Sequence, residues 1–316
     1  MNCSSQQVTR RQCLALLAGA SAAAFAPKLC RAEIEQNLLR LAISTDTLAG
    51  VNIDDARAAY LALINQYNKL QGGKVTAEVV PGVFIPSSEI MRDVRQGTVE
   101  SFGVTAMEYA KLIDLVDPGT VVLQDYLADG IEYILLVHKS SSFKKIADLR
   151  GAQLLSHRHR DMVMMPLWLD TMLAVGNLPS SGRFFGDISP RDNINQVVLP
   201  VFFRRADAAC LSRRSWETAV ELNPQLGHDL QILAVSPKVI PIVIAFRRNC
   251  NPVGRKLLLD SMLNVTNTIQ GRQMAALYQA NGFVQRPVSI MTGTLAMIRE
   301  AERISTQQAG PRNKRP

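Results

Sequence analysis

Two stretches of the chain share one plan, and that repeat restricts the fold more than any other feature of the sequence. Residues 195–212 read NQVVLPVFFRRADAACLS. Val197 to Phe203 is apolar at nearly every position apart from Pro200. Arg204, Arg205 and Asp207 break the run, and Ala208 to Leu211 resumes it up to Ser212. The pattern predicts an element packed on a sheet, a charged corner, and a buried strand. Residues 90–109, IMRDVRQGTVESFGVTAMEY, repeat it, aligning Glu100 with Asp207, Thr105 with Ser212 and Tyr109 with Trp216. Each copy runs helix, tight corner, strand, then a hydroxyl residue where the next helix opens. One such unit in each half predicts two similar α/β lobes. Ligands of open α/β sheets lie beyond the carboxyl ends of the strands, so the two hydroxyl ends are expected to face one cleft.

The first 32 residues read as an export signal rather than as part of the fold. Arg10 and Arg11 form a basic head, Cys13 to Phe25 is a small-residue apolar core, and Cys30-Arg31-Ala32 offers a cleavage site. Thr9-Arg10-Arg11-Gln12-Cys13-Leu14 resembles the twin-arginine signal, with Cys13 where Phe is usual. The apolar core is about half the roughly 20 residues that a membrane span needs. The expected compartment is the bacterial periplasm. Cleavage near Ala32 removes Arg10, Arg11, Lys28 and Arg31 and lowers the formal net charge from +8 to +4. Of five cysteines only Cys210 and Cys250 remain, so no disulfide framework is expected. A mildly basic chain without a basic stripe or an RNA-binding signature argues against nucleic acid and suits a small anion.

Along the mature chain, strands and crossover helices alternate from Leu38 onward. Asp55 to Leu70 reads as an amphipathic helix stopped at Gln71-Gly72-Gly73, and Pro81 to Ser88 as a loop holding Phe84. Ile131 to Val137 reads as a strand, and the polar stretch Lys139 to Phe143 as the first passage between lobes. Ser236-Pro237 and Ile240-Pro241 bracket the return. The expected division is lobe 1 at 33–138 and 236–305, lobe 2 at 139–235, and a polar, basic tail at 306–316.

Asp148-Leu149-Arg150-Gly151, the VVLPVFFRRADA stretch, Glu221-Leu222-Asn223-Pro224 and Ser236-Pro237-Lys238-Val239-Ile240-Pro241 occur in this order. In that arrangement the chain resembles the PhnD-like substrate-binding proteins of phosphate, phosphite and phosphonate ABC transporters, over about residues 38–290. The resemblance implies a type II periplasmic-binding-protein fold: two α/β lobes, hinged by two crossing strands, closing on a small anion without catalysis. It implies an ABC permease in the inner membrane as partner. Relatives that bind phosphonates commonly carry a Ser-Thr-Ser-Gly turn after the strand that follows Asp-Leu-x-Gly. This chain has Ser156-His157-Arg158-His159-Arg160-Asp161 there. A histidine common ahead of the second repeat copy is replaced in the neighbourhood of Asn193 and Asn195. Ile242 and Val243 stand where some relatives carry an acid.

The candidate ligand contacts are Thr45, Asp46, Phe84 and Thr105 on lobe 1, and Ser156, His157, Arg158, His159, Arg160 and Asn195 on lobe 2. The 156–161 loop is expected to open a helix, whose free N–H groups and dipole favour an anion. Arg158 or Arg160 can add a bidentate hydrogen bond; the plainer alternative is a solvated basic loop with Asp161 as helix cap. Thr45 and Thr105 offer hydroxyls or cap helices. Asp46 repels an anion unless it holds a cationic part of the ligand or an arginine. Phe84 can wall the cleft. Asp207 and Tyr109 read as structural, and Met162, Met164 and Met165 as helix packing. His157, His159 and Asp161 lack a fourth metal donor, so neither metal nor cofactor is expected. Three readings follow: a monomeric solute-binding protein serving a permease, the same fold presenting ligand to a sensor receptor, or an enzyme using the His157-Arg158-His159 loop. No paired base and nucleophile supports the last.

Overall fold

The computed structural model describes residues 38–71 and 76–308. The export signal at 1–32, the Gly72-Gly73 stop and residues 309–316 lie outside the described residues. The chain runs β1 (Leu38–Ser44), α1 (Ile53–Gln71), β2 (Thr76–Ile85), α2 (Ser87–Gln96), β3 (Ser101–Thr105), α3 (Ala106–Lys111) and β4 (Thr120–Gln124). It continues with β5 (Tyr133–His138), β6 (Gln153–His157), α4 (Met165–Val175), α5 (Ser181–Phe184), β7 (Asp187–Arg191), α6 (Ile194–Phe202), β8 (Ala208–Ser212), α7 (Arg213–Leu222), α8 (Pro224–Asp229) and β9 (Leu230–Val235). Last come β10 (Ile242–Phe246), α9 (Pro252–Leu263), α10 (Ile269–Leu277), β11 (Phe283–Pro287) and α11 (Thr292–Gln308).

These strands form two sheets, ordered β11-β4-β10-β3-β1-β2 and β7-β6-β8-β5-β9. Written as β2-β1-β3-β10-β4 and β7-β6-β8-β5-β9, they have the same pattern: three parallel strands, then a strand antiparallel to both its neighbours. The sequence repeat is therefore a structural one. In the first copy α2 ends at Gly97, φ 75°, a left-handed position that glycine adopts without strain. In the second, Arg204 takes φ 56° after α6. Glu100 Oε2 then accepts the Arg40 N–H at 2.9 Å, and Asp207 Oδ2 accepts the Gln153 N–H at 2.8 Å. Each acid ties the corner to the neighbouring parallel strand. Thr105 and Ser212 close the unit as helix N-caps, accepting from Glu108 N–H and Ser215 N–H.

Three expectations need correcting. The first passage between sheets lies at residues 125–132, not at 139–143, because β5, apolar and buried from Tyr133 to Val137, pairs with β8 and β9 in the five-stranded sheet. Residues 139–141 instead make a polar turn, with the Ser141 N–H donating to the His138 carbonyl. The segment around Pro81 is not a loop. β2 is an edge strand, where a proline need not donate to a ladder, and it runs on to Ile85. Its pairing with β1 jumps from Leu41–Val79 to Ile43–Phe84, so extra residues bulge out. That shift returns Phe84 to the sheet. Finally, residues 306–308 belong to α11, which packs on both α3 and α4 and so leans on both lobes.

The two passages are joined to each other. Ile131 N–H donates to the Val239 carbonyl at 2.8 Å and Val239 N–H returns the bond at 3.0 Å. Tyr133 N–H donates to Ser236 Oγ at 2.7 Å.

Asp207→Ala is expected to lower stability by about 1–2 kcal/mol, since it strands the Gln153 amide. Asp207→Asn, which keeps an acceptor, should lose less than half as much; urea unfolding midpoints of the two variants check this.

Candidate functional site

The carboxyl ends of β1 and β3 meet those of β6 and β8 at one rim. On lobe 1, β1 ends at Ser44 and turns through residues 45–47 to Gly50, φ 80°. A Cβ on Gly50 would stand 3.2 Å from the Arg158 carbonyl oxygen and 3.8 Å from His159 Cα. The lobes thus approach closely where the sequence repeat aimed its hydroxyl ends.

Arg160 is the centre of this rim. Its side chain is 1% exposed. Nε and Nη2 both donate to the Tyr126 hydroxyl, at 3.0 and 2.9 Å. The guanidinium carbon lies 5.7 Å from the Tyr126 ring centroid and 4.9 Å from that of Tyr278. Tyr126 belongs to the first passage, Tyr278 ends α10 of lobe 1, and Arg160 belongs to lobe 2. The single carboxylate near it, Asp161 Oδ1, is 3.9 Å away and accepts the Tyr126 hydroxyl at 2.8 Å. Among the described residues no acceptor bonds Arg160 Nη1. A fixed cation, buried and only partly neutralised, attracts an anion strongly because little water screens it. Arg214, at the start of α7, adds a second cation, its guanidinium carbon 4.6 Å from the Tyr126 ring centroid.

The loop differs from the expected anion cradle. Residues 160–162 form a short 3-10 turn, and α4 begins only at Met165, with Pro166 in its first turn. Three of the loop amides are already used: Arg158 N–H donates to the Arg191 carbonyl, Asp161 N–H to His159 Nδ1, and Met162 N–H to the His159 carbonyl. His159, not Asp161, caps the turn. Arg158 is exposed and faces Asp192 at 3.5 Å. His157 is 8% exposed, its ring stacked on His159 with centroids 5.3 Å apart, and its Nδ1 has no hydrogen-bond partner. Burial, then the neighbouring His159, holds the His157 pKa below its ordinary value. Burial would raise the Asp161 carboxyl, but bonding and charge from His159, with Tyr126 and Arg160, outweigh it and leave the pKa lowered. Ser156 is buried at the end of β6, and Asn195 is exposed in the first turn of α6.

Lobe 1 offers less than its hydroxyls promised. Glu108, 3% exposed, accepts from Ser44 Oγ at 2.6 Å, Thr105 N–H at 2.8 Å and Thr105 Oγ1 at 2.9 Å. Thr105 is therefore committed to a capping box rather than to the cleft. Phe84 does not wall the cleft: the register shift in β2 packs it with Leu48, Ala56, Met274 and Tyr278. Thr45 stays half-buried and Asp46 exposed on the rim, where burial and Glu108 raise the Asp46 pKa. Tyr126, Tyr278 and Arg214 escaped the sequence reading. Their roles come from the passage and from helix ends that only the assembled lobes bring together.

Among the described residues no group of three or more His, Cys, Asp or Glu is placed to hold a metal ion, and no helix is long and apolar enough to cross a membrane. Cys210 and Cys250 are unpaired and buried.

The family described as "ABC transporter, phosphonate, periplasmic substrate-binding protein" matches residues 57–286. No curated protein matches the sequence. Among solved structures, a Xanthomonas citri protein bound to ATP superposes with a TM-score of 0.57 at 14% identity, covering 85% of this chain and 98% of that one. PhnD1 of Prochlorococcus marinus in complex with methylphosphonate gives 0.53 at 13% identity, covering 84% and 99%. A binding-protein component of a phosphonate ABC transporter from Pseudomonas aeruginosa gives 0.53 at 13% identity, covering 87% and 89%. These likenesses extend the two-lobe fold to structures of the type II periplasmic-binding class. The family match spans more than half of the chain, and the chain belongs to the phosphonate-type periplasmic substrate-binding proteins of ABC transporters.

Proposed function

We propose that this chain captures a small phosphonate- or phosphate-like anion at Arg160 and hands the closed form to an ABC permease. In this reading residues 1–32 export the chain to the periplasm and are cleaved near Ala32. The mature protein acts as a monomer and uses neither metal nor cofactor. The observation that carries the reading is the Arg160 guanidinium, 1% exposed and held between Tyr126 and Tyr278 with its Nη1 unbonded by protein. An anion bound there contacts lobe 2 through Arg160, the passage through Tyr126, and lobe 1 through the Tyr278 edge. Those contacts coexist only when the lobes are shut, so the ligand stabilises the closed state by the difference. Arg158 and Asn195 line the outer rim in this reading, and Thr45 and Asp46 face them. Asp46 stands beside buried Glu108 and makes lobe 1 locally negative. That side suits the neutral or amine-bearing end of the ligand rather than its anionic head. Binding rather than catalysis fits the donor set, because the Asp161 carboxylate and the His159 ring are engaged with each other.

The test is a thermal-shift and calorimetric screen of methylphosphonate, phosphate and phosphite against the mature protein. Methylphosphonate at a hundredfold excess over Kd should stabilise by about 2.7 kcal/mol. Arg160→Met should weaken binding by about 10–100-fold, the worth of a charge-assisted contact. Arg160→Met that folds, by circular dichroism, and binds as tightly as the parent would overturn the assignment.

His157 supplies a pH signature. Its folded pKa lies below the ordinary 6.5, so the unfolded chain binds more protons just below that pH. Stability is then full above pH 6.5 and falls as pH drops through the folded pKa. His157→Gln should flatten this loss between pH 7 and 5 in urea unfolding. In NMR titrations the His157 midpoint should rise when methylphosphonate binds, because an adjacent anion favours the imidazolium. A bound ligand that leaves the midpoint unmoved places the anion elsewhere.

A further inference from the structure

We propose that lobe 1 contains a second binding cavity, which shares only the Tyr278 wall with the rim, for a small uncharged molecule of phenol size bearing a hydroxyl. The cavity lies between one face of the six-stranded sheet and the helices α1, α9 and α10, and has a volume of about 100 Å³. Its floor shows why it is hollow. Ser101 and Gly103 are alternate residues on the same face of β3, and a Cβ on Gly103 would meet nothing closer than Ile43 at 3.5 Å. Two neighbouring positions of a central strand thus carry almost no side chain, while Leu63, Ile64 and Met262 roof the space from above. Among the described residues no Asp, Glu, Lys, Arg or His lines it, which disfavours an anion such as the rim would take: a buried unpaired charge is far costlier than a buried apolar ring.

Three polar atoms mark the cavity as a site rather than a packing fault. Among the described residues the Tyr67 hydroxyl, the Tyr278 hydroxyl and Gln124 Oε1 have no hydrogen-bond partner, on residues that are 5%, 6% and 8% exposed and all line this space. Buried polar groups of native proteins are nearly always bonded, so three orphans converging on one cavity call for a guest. Gln124 Oε1 only accepts, whereas the phenols both donate and accept. A guest with one hydroxyl can donate to Gln124 and accept from a tyrosine while its ring meets Leu41, Ile244 and Met274. At about 100 Å³ the cavity is smaller than the roughly 150 Å³ one that takes up benzene, so a single-ring guest needs part of the adjoining recess as well. An outer recess of about 300 Å³ shares Leu63, Tyr67, Ser261 and Val265 with the cavity and adds Gln66, Asn264 and Asn267, giving a polar way in.

The inference does not depend on the phosphonate reading, and one experiment separates them. Phenol is titrated into the full mature protein with methyl-labelled methionines, with methylphosphonate as control. Phenol should shift the Met262 and Met274 methyl signals saturably and leave Met162 and Met164, in the other lobe, in place. Tyr67→Phe should weaken phenol binding about five- to tenfold. Ser101→Leu, which fills the space, should abolish the phenol response and keep that to methylphosphonate. Absence of any saturable shift at Met262 and Met274 overturns the proposal, whether or not the Ser101 variant folds. Competition in which methylphosphonate displaces phenol at equal occupancy overturns it as well, by making the two sites one.

Discussion

Everything in this molecule depends on a pair of backbone hydrogen bonds between Ile131 and Val239. They bind the two passages into a short antiparallel ribbon, and each lobe hangs from one end of it. Ser236 strengthens the ribbon: its Oγ accepts from the Tyr133 N–H and its own N–H donates to the Tyr133 carbonyl. With the passages fastened to each other, the two chain crossings lie side by side, the arrangement of a hinge. The site follows from this constraint. Tyr126 sits in one passage, and Arg160 of the other lobe is braced against it.

The rim is asymmetric although the lobes repeat each other. The corresponding N-caps, Thr105 and Ser212, open α3 and α7, yet a glutamate three residues on takes up the hydroxyls of lobe 1, whereas Ser215 stands at that place in lobe 2. One half therefore presents carboxylates to the gap and the other presents cations. In the proposed reading a guest would be held by polarity across the gap rather than by two matching cradles, with specificity following the orientation of its charge.

Much of the scaffold was legible in the sequence because its signals are local. The alignment of Glu100 with Asp207 found a real equivalence, since both carboxylates do the same job at the same corner, and Thr105 and Ser212 begin helices as their hydroxyls foretold. Buried runs such as 208–211 and 242–246 read as strands because they are short, apolar at every position and bounded by polar or proline residues. The misreadings arose where partnering decides. Pro81 signals a loop until β2 is known to be an edge; Phe84 follows Pro81 into the wrong environment. Lys139 to Phe143 is polar like a hinge, but a turn after a strand is polar too, and only the pairing of β5 tells them apart. At the site, the basic loop stood out, yet which arginine is buried depends on Tyr126 and Tyr278, distant in sequence and unremarkable in composition.

The position of β10 bears on how the chain assembles. It lies between β3 and β4 in the six-stranded sheet, although it is made more than a hundred residues later. Until residues 242–246 arrive, the strands made first have a gap in their middle and cannot close. The five-stranded sheet, whose strands run without interruption from 133 to 235, has every partner it needs as soon as that span is complete. Acquisition of structure is thus expected to begin in the middle of the polypeptide and move outward, with the amino-terminal third held open until nearly the whole chain is available.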